Sequence, residues 1–315
     1  MLSEDVLYLP VSELGKRIRR GELSPVRLTE SYLDRLEKLG LKLGAVITVT
    51  RELGLEQARQ AEKDLSAGHW RGPLHGIPYG AKDLLSARGI RTTWGAPPYK
   101  DQVFDFDATV IRKLREAGAV LIAKLAMIEL AGGGGYTNGN ASLMPTVNPW
   151  DTTRWAGGSS SGSGASTAAA LVGFAIGSET WGSILTPSSF CGVSGLRPTY
   201  GRVSRKGAMA LSWTMDKLGP MCRSAEDCGL VLEAIAGHDP DDPGSADAPF
   251  SNQPANGSLR GLRIGWIKED FKQFGDEGVE PLYKDALGVL KHLGAEGREV
   301  KLPVFPYGAI ADTII

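Results

Sequence analysis

Apolar residues along the chain recur at two spacings, one helical and one nearly continuous. The helical spacing predicts a short helix over residues 11–20, with Ser12 as a candidate cap and Gly21 as its stop. A longer helix is expected over 25–39. There Leu28, Tyr32, Leu33 and Leu36 form one stripe, Ser24 can cap and Pro25 suits the first turn. Residues 52–67 are amphipathic in the same way. Apolar runs predict strands over 45–49, over 74–83 (LHGIPYGAKD, punctuated by Pro and Gly) and over 119–123, ending at Lys124. The last of these follows a helix over 109–117 and a stop at Gly118, the order expected of an α/β unit. A buried helix over 165–172 and a short central strand over 173–177 come next. Residues 224–235 read as a helix capped by Ser224, with Glu226 in its first turn. Residues 238–256, rich in Pro, Asp and Gly, read as a surface loop. A strand over 261–267, a helix over 280–293 and an extended stretch over 300–303 read as a βαβ-like unit, with Leu282, Ala286, Val289 and Leu290 on one helix face. The chain stops at Ile315, within what reads as the start of a further helix.

The densest chemistry lies in residues 157–200, GGSSSGSGASTAAALVGFAIGSETWGSILTPSSFCGVSGLRPTY. Two serine loops bracket the apolar run 165–177, and packing that run into a core would bring both loops to one end of a sheet. Serines on Gly-rich backbone suit acyl transfer, where a hydroxyl attacks a carbonyl and nearby N–H groups receive the oxyanion. Residues 158–162 also match G-x-S-x-G around Ser160, but a nucleophile elbow needs a buried strand before it and a histidine partner. Residues 148–155 are not strand-like, and the four histidines, His69, His75, His238 and His292, sit in polar or turn contexts. A phosphate loop is excluded because no Lys-Ser/Thr follows the glycines. The remaining base candidate is Lys82, which follows an apolar strand end. Burial would lower its pKa, although its local sequence by itself fits a surface lysine better.

Composition narrows the partners. The 315 residues carry 35 basic and 36 acidic side chains, a net charge of −1, which favours neither nucleic acid nor an anionic membrane. The three cysteines, Cys191, Cys222 and Cys228, lack metal-ligand spacing and fit a reducing compartment. The first ten residues, MLSEDVLYLP, hold no basic region followed by an apolar stretch, and the most apolar segment is broken by glycines. A cytoplasmic location with no membrane segment is therefore expected. The 41 glycines are aperiodic and cluster at 132–135, 157–164 and 173–201, interleaved with apolar residues as a flexible linker would not be.

Taken in order, IPYGAKD with Lys82, GGSSSGSGAS with Ser159 and GSETWGSIL with Ser183 resemble the amidase signature family of serine hydrolases. That family carries GGSSGGS, then GTDTGGSIR, then a FCGVxGLKPTYGR tail, matched here by FCGVSGLRPTYGRVSR. LHGIPYGAKDLL, ATVIRKLREAGAVLIAKLAM, NPWDTTR, DKLGPMCRSAEDCGLVLEAIAGHDPDDP and GLRIGWIKEDF look like the family as well, so the likeness spans essentially the whole chain. The resemblance implies an α/β fold with a central mixed sheet flanked by helices on both faces. It implies one domain over 1–315, shortened at its C-terminus. Within it, 1–70 would be helical, 71–236 the catalytic core, 237–260 a surface loop and 261–315 the start of a C-terminal βα region. It implies a triad of Ser183 as nucleophile, Ser159 as bridging serine on a cis Gly158–Ser159 bond, and Lys82 as base. The backbone N–H groups of Thr180, Trp181, Gly182 and Ser183 would form the oxyanion hole. No metal or organic cofactor is implied. Cys191 would be a buried structural thiol. Asp83 could tune Lys82 electrostatically, but adjacent residues on a strand point oppositely, which fits a structural role at least as well.

The chain departs from the family pattern at Trp181, where glycine is usual, at Leu185, where arginine is usual, and at Ser178-Glu179, where Thr-Asp is usual. The expected activity is hydrolysis of a small-molecule amide at its C–N bond, with a homodimer as the candidate assembly. The rival within the same chemistry is the glutaminase A subunit of a tRNA-dependent amidotransferase, working with partner subunits. Trp181 and Leu185 favour the stand-alone enzyme. A rival of another class, a catalytically weak scaffold or binding protein, is opposed by the intact Lys82, Ser159 and Ser183.

Overall fold

The computed structural model describes residues 2–132, 145–248, 250–253, 257–269, 279–307 and 309. The glycine run beyond Gly132 and the helix expected at the chain end lie outside these residues. Contacts divide the chain into two compact units, Met1–Asn252 and Gln253–Ile314.

In the first unit, helices α1 (Glu4–Leu7), α2 (Val11–Arg19) and α3 (Pro25–Arg35) precede strand β1 (Val46–Val49) and helix α4 (Arg51–Ser66). Strand β2 (Pro78–Lys82), helix α5 (Thr109–Glu116) and strand β3 (Val120–Leu125) follow, then β4 (Val147–Asn148) and β5 (Asp151–Trp155). Helix α6 (Ser161–Ala168), strand β6 (Phe174–Glu179), helix α7 (Leu185–Cys191), β7 (Ser194–Gly195), β8 (Lys217–Cys222) and helix α8 (Ala225–Ile235) complete it. Six strands form one sheet in the order β1-β3-β2-β6-β8-β7. The pairs β3/β2 and β2/β6 are parallel, and β1/β3, β6/β8 and β7/β8 are antiparallel, so the sheet is mixed. Every residue of β2, β3 and β6 is buried, which requires cover on both faces. Helices α3, α4, α5 and α6 pack on these strands, and α8 packs on β7 and β8. At the centre, Tyr79 of β2 stacks on Phe174 of β6 with ring centroids 5.2 Å apart. Lys82 and Glu179 thus end neighbouring strands at their carboxyl edge, where open α/β sheets place ligands.

Local signals explain several helix ends. Ser24 accepts from Arg27 N at 3.1 Å and Ser224 from Asp227 N at 3.2 Å, both as expected caps. Ser12 does not cap α2. The helix begins at Val11, and the carboxylate of Asp227 accepts from Val11 N at 2.8 Å and Ser12 N at 2.9 Å. A side chain more than 200 positions away does the capping, which no local pattern reveals. Beyond Arg35 the third helix continues as a π-helical turn, Leu36–Gly40.

Three expectations need correction. Helix α6 starts at Ser161, four residues before the apolar run. All eight of its residues are buried, so packing overrides the poor helix propensity of Gly and Ser. Residues 151–155 do form a strand, but it is exposed throughout and pairs only with β4. It is therefore not the buried strand that an elbow requires. The polar loop after α8 also conceals buried groups: Asp239 and Asp242 are each 5% exposed. Asp239 accepts from Thr109 Oγ1 and Ser204 Oγ, each at 2.6 Å, and Asp242 from Arg205 N at 2.7 Å.

In the second unit, β9 (Arg263–Trp266) pairs in parallel with β10 (Glu296–Glu299), and helix α9 (Val279–His292) lies between them in sequence. This is the expected βαβ order, with the closing strand at Glu296–Glu299 rather than at 300–303. Leu282 and Val289 on α9 are exposed.

Candidate active site

Lys82 is the last residue of β2 and is fully buried. Its Nζ donates to Ser159 Oγ at 2.7 Å and to Ser178 Oγ at 2.9 Å, with Ser178 O at 3.4 Å. No carboxylate touches it among the described residues. Burial pulls its pKa from 10.5 down to about 7, against the attraction of Asp216 and Glu179. At neutral pH a large share of this amine is unprotonated and able to take a proton.

Ser159 follows a cis peptide bond, Gly158–Ser159, just before α6. A side chain at Gly158 would overlap Ile128 and the Trp155 ring, which would have to shift to admit it. Ser159 O accepts from Ile128 N at 3.1 Å. The two serine loops are tied directly by Ser160 N donating to Ser183 O at 3.2 Å. Ser160 itself is fully buried. Its Oγ donates to Ser178 O at 3.1 Å and accepts from Ser178 N at 3.2 Å, so it is structural.

The turn 180–183 leads from β6 into α7. Gly182 sits at φ +83°, a conformation that suits glycine, whereas Trp181 does not need one. The N–H groups of Trp181, Gly182 and Ser183 find no acceptor among the described residues, and neither does the Ser183 hydroxyl. Ser183 is 9% exposed, at the edge of solvent. Around the turn the polar groups are satisfied. Glu179 Oε2 accepts from Ile184 N at 2.8 Å and Leu185 N at 2.9 Å, and Oε1 lies 3.3 Å from Arg197 Nη1. The longer Glu side chain therefore reaches the start of α7. Thr180 Oγ1 donates to Asp216 Oδ1 at 2.5 Å, and Lys217 Nζ donates to Thr180 O at 3.0 Å. A cleft of about 290 Å³ opens beside Ser178 and Thr180, walled by Leu84, Met209, Trp213 and Asp216. Trp181 and Leu185 are 58% and 43% exposed.

The other candidates lie outside this chemistry. Asp83 points away from Lys82, to Lys124. Cys191 is buried, its thiol pushed up to about 12 by burial, and it contacts Ala156 O at 3.4 Å. His75 is buried with Nε2 on Ala61 O at 2.8 Å and Nδ1 on Arg71 N at 3.3 Å. No group of three or more His, Cys, Asp or Glu among the described residues is placed to hold a metal. No helix among them is long and apolar enough to cross a membrane. The sequence marked Ser178 only as a departure from the family pattern, not for its hydroxyl, and did not single out the carboxylate of Asp216. The first stands where the family has a hydroxylic Thr. The second reaches the turn only through the β6/β8 pairing of Glu179 with Lys217.

The amidase family profile matches residues 27–312. The chain belongs to the amidase family. It is 43% identical over 305 residues to the A subunit of the glutamyl-tRNA(Gln) amidotransferase of Carboxydothermus hydrogenoformans, covering 96% of this chain and 62% of that protein. Among solved structures it resembles the native peptide amidase of Stenotrophomonas maltophilia, with a TM-score of 0.88 and 38% identity over 97% of this chain and 64% of that one. It also resembles the A subunit of the Thermotoga maritima glutamyl-tRNA(Gln) amidotransferase, with a TM-score of 0.80 and 29% identity over 99% of this chain and 68% of that one. The chain thus spans about three fifths of the length of the Carboxydothermus protein.

Proposed function

We propose that this chain carries the catalytic core of an amidase that cleaves a carboxamide C–N bond through an acyl-enzyme. The observation that carries the reading is the 2.7 Å hydrogen bond between fully buried Lys82 and Ser159, beside a turn with open N–H groups. Neutral Lys82 takes the proton of Ser159 as Ser159 takes that of Ser183. Ser183 Oγ attacks the amide carbon, and the N–H groups of the 180–183 turn receive the oxyanion, each worth roughly 3 kcal/mol in the transition state. The C–N bond breaks, Ser159 returns the proton to the leaving amine, and water hydrolyses the Ser183 ester to release the acid. The cleft beside Ser178 and Thr180 would take the substrate.

The amidotransferase relatives favour a second reading, a glutaminase that works with partner subunits. Ammonia release from glutamine that appears only with such partners would select it. Hydrolysis of aliphatic or aryl amides by the chain alone would select the stand-alone amidase. Both require Ser183. Ser183→Ala is expected to abolish labelling by a fluorophosphonate probe, and Cys191→Ala to leave it unchanged. The opposite pattern would refute the assignment.

A further inference from the structure

Asp216 stands just before β8, in the wall of the cleft, and both of its carboxylate oxygens are used. Oδ1 accepts from Thr180 Oγ1 at 2.5 Å, and Oδ2 from Leu211 N at 2.8 Å and Ser212 N at 3.0 Å. One carboxylate therefore fastens the cleft loop around 211–213 to the first residue of the turn that carries Ser183. We propose that Asp216 is a positioning residue for the reaction: it holds the oxyanion turn against the cleft wall and sets the field at Lys82. The proposal rests on the triad reading above.

The charges around Lys82 support a distinct part for Asp216. Glu179, at the end of β6, spends one oxygen on two backbone N–H groups and the other on Arg197. Lys124 is matched by Asp83. Lys217 reaches Thr180 O, and its burial lowers its pKa, with Arg197 acting in the same direction. Asp216 and Glu179 are the negative groups that favour the ammonium form of Lys82, with Asp216 the stronger. Asp216 bonds only neutral groups, so its charge is uncompensated by any direct ion pair among the described residues.

The test reads the rate of fluorophosphonate labelling of Ser183 against pH, which needs no knowledge of the substrate. In the wild type the rate should rise through a limb near pH 7 as Lys82 loses its proton. Asp216→Asn removes a negative charge, disfavours the ammonium and should move that limb to lower pH by about one pH unit. It should also lower the plateau about tenfold, because the tether to Thr180 loses its charged acceptor. Thr180→Val removes only the hydroxyl that Asp216 accepts, so it should lower the plateau and leave the limb in place. A limb that stays put or moves up in Asp216→Asn overturns the proposal. So does an unchanged plateau in Thr180→Val, which carries the test alone if Asp216→Asn does not fold. Loss of Ser183 labelling in the wild type would instead sink the triad reading.

Discussion

Two fully buried lysines lie at or beside the carboxyl ends of neighbouring parallel strands, and they have opposite surroundings. Among the described residues Lys82 meets only hydroxyls and a carbonyl, those of Ser159 and Ser178. Lys124, near the end of β3, meets a carboxylate: Nζ lies 2.9 Å from Asp83 Oδ1 and 2.7 Å from Thr92 Oγ1. Asp83 is secured further by Thr93, whose N and Oγ1 donate to Oδ2 at 2.9 and 2.5 Å. Burial lowers the pKa of both lysines, but only Lys124 has a touching carboxylate to hold its proton. Residues 82 and 83 alternate across the strand, so one faces the serines and the next builds the ion pair behind them. The same residue type becomes a base or a structural ammonium according to its partner.

Removing Lys82 should have the largest effect on reaction rate. Lys82→Met is expected to lower Ser183 labelling and amide hydrolysis by about 10³-fold, the middle of the range for loss of a general base. A decrease below tenfold would assign the base elsewhere. The same variant tests the pKa through stability. An unfolded lysine keeps its proton up to about 10.5, whereas folded Lys82 releases it near 7. Between those values the unfolded chain binds more protons, so stability should rise with pH, by at most about 1.4 kcal/mol per pH unit from this group. Below pH 7 both states are charged and the burial penalty is present in full. Denaturant unfolding of wild type and Lys82→Met from pH 7 to 9 should show a steeper rise in the wild type. Equal slopes would mean that Lys82 is not depressed.

Lys124→Met should reverse the pattern, with a large effect on stability and a small one on rate. It leaves the Asp83 carboxylate buried beside Thr93 without its cation, at a cost of about 3–5 kcal/mol. Adding Asp83→Asn removes the stranded charge and should recover part of that loss. Unfolding midpoints of the single and double variants check this. A double variant less stable than Lys124→Met would show that the charge is not what costs.

Much of this contrast was legible in the chain. LHGIPYGAKD marks a strand, expected over 74–83 and found as the shorter Pro78–Lys82, and the period of two sends Asp83 the other way. Glycines and small residues mark the serine loops because close backbone approach excludes larger side chains, as at Gly162, where an added Cβ would meet Ala126 N and Ala45 O. The partners that cross the sheet were not legible. Asp216 meets Thr180 because β8 runs antiparallel to β6, and a pairing register leaves no local trace. Asp227 caps α2 from α8 for the same reason, and Asp239 is buried within a stretch whose composition reads as surface. The start of α6 was misplaced because its Gly and Ser residues form helix through burial rather than propensity.

The finest distinction concerns the second hydroxyl on Lys82. Ser178 Oγ lies almost as near as Ser159 Oγ, 2.9 Å against 2.7 Å, yet the proposed relay runs only through Ser159. Ser178 instead orients the amine, and its backbone is already fixed by Ser160 Oγ. Ser178→Ala should therefore cost about 1 kcal/mol of stability and lower the labelling rate no more than about tenfold, since one neutral hydrogen bond is lost. Ser178→Thr keeps the hydroxyl and should restore both. Ser159→Ala, compared in the same assay, should approach the loss seen for Lys82→Met. If Ser178→Ala were equally severe, the proton path would run through Ser178, and the contrast between the lysines would turn on two serine relays rather than one.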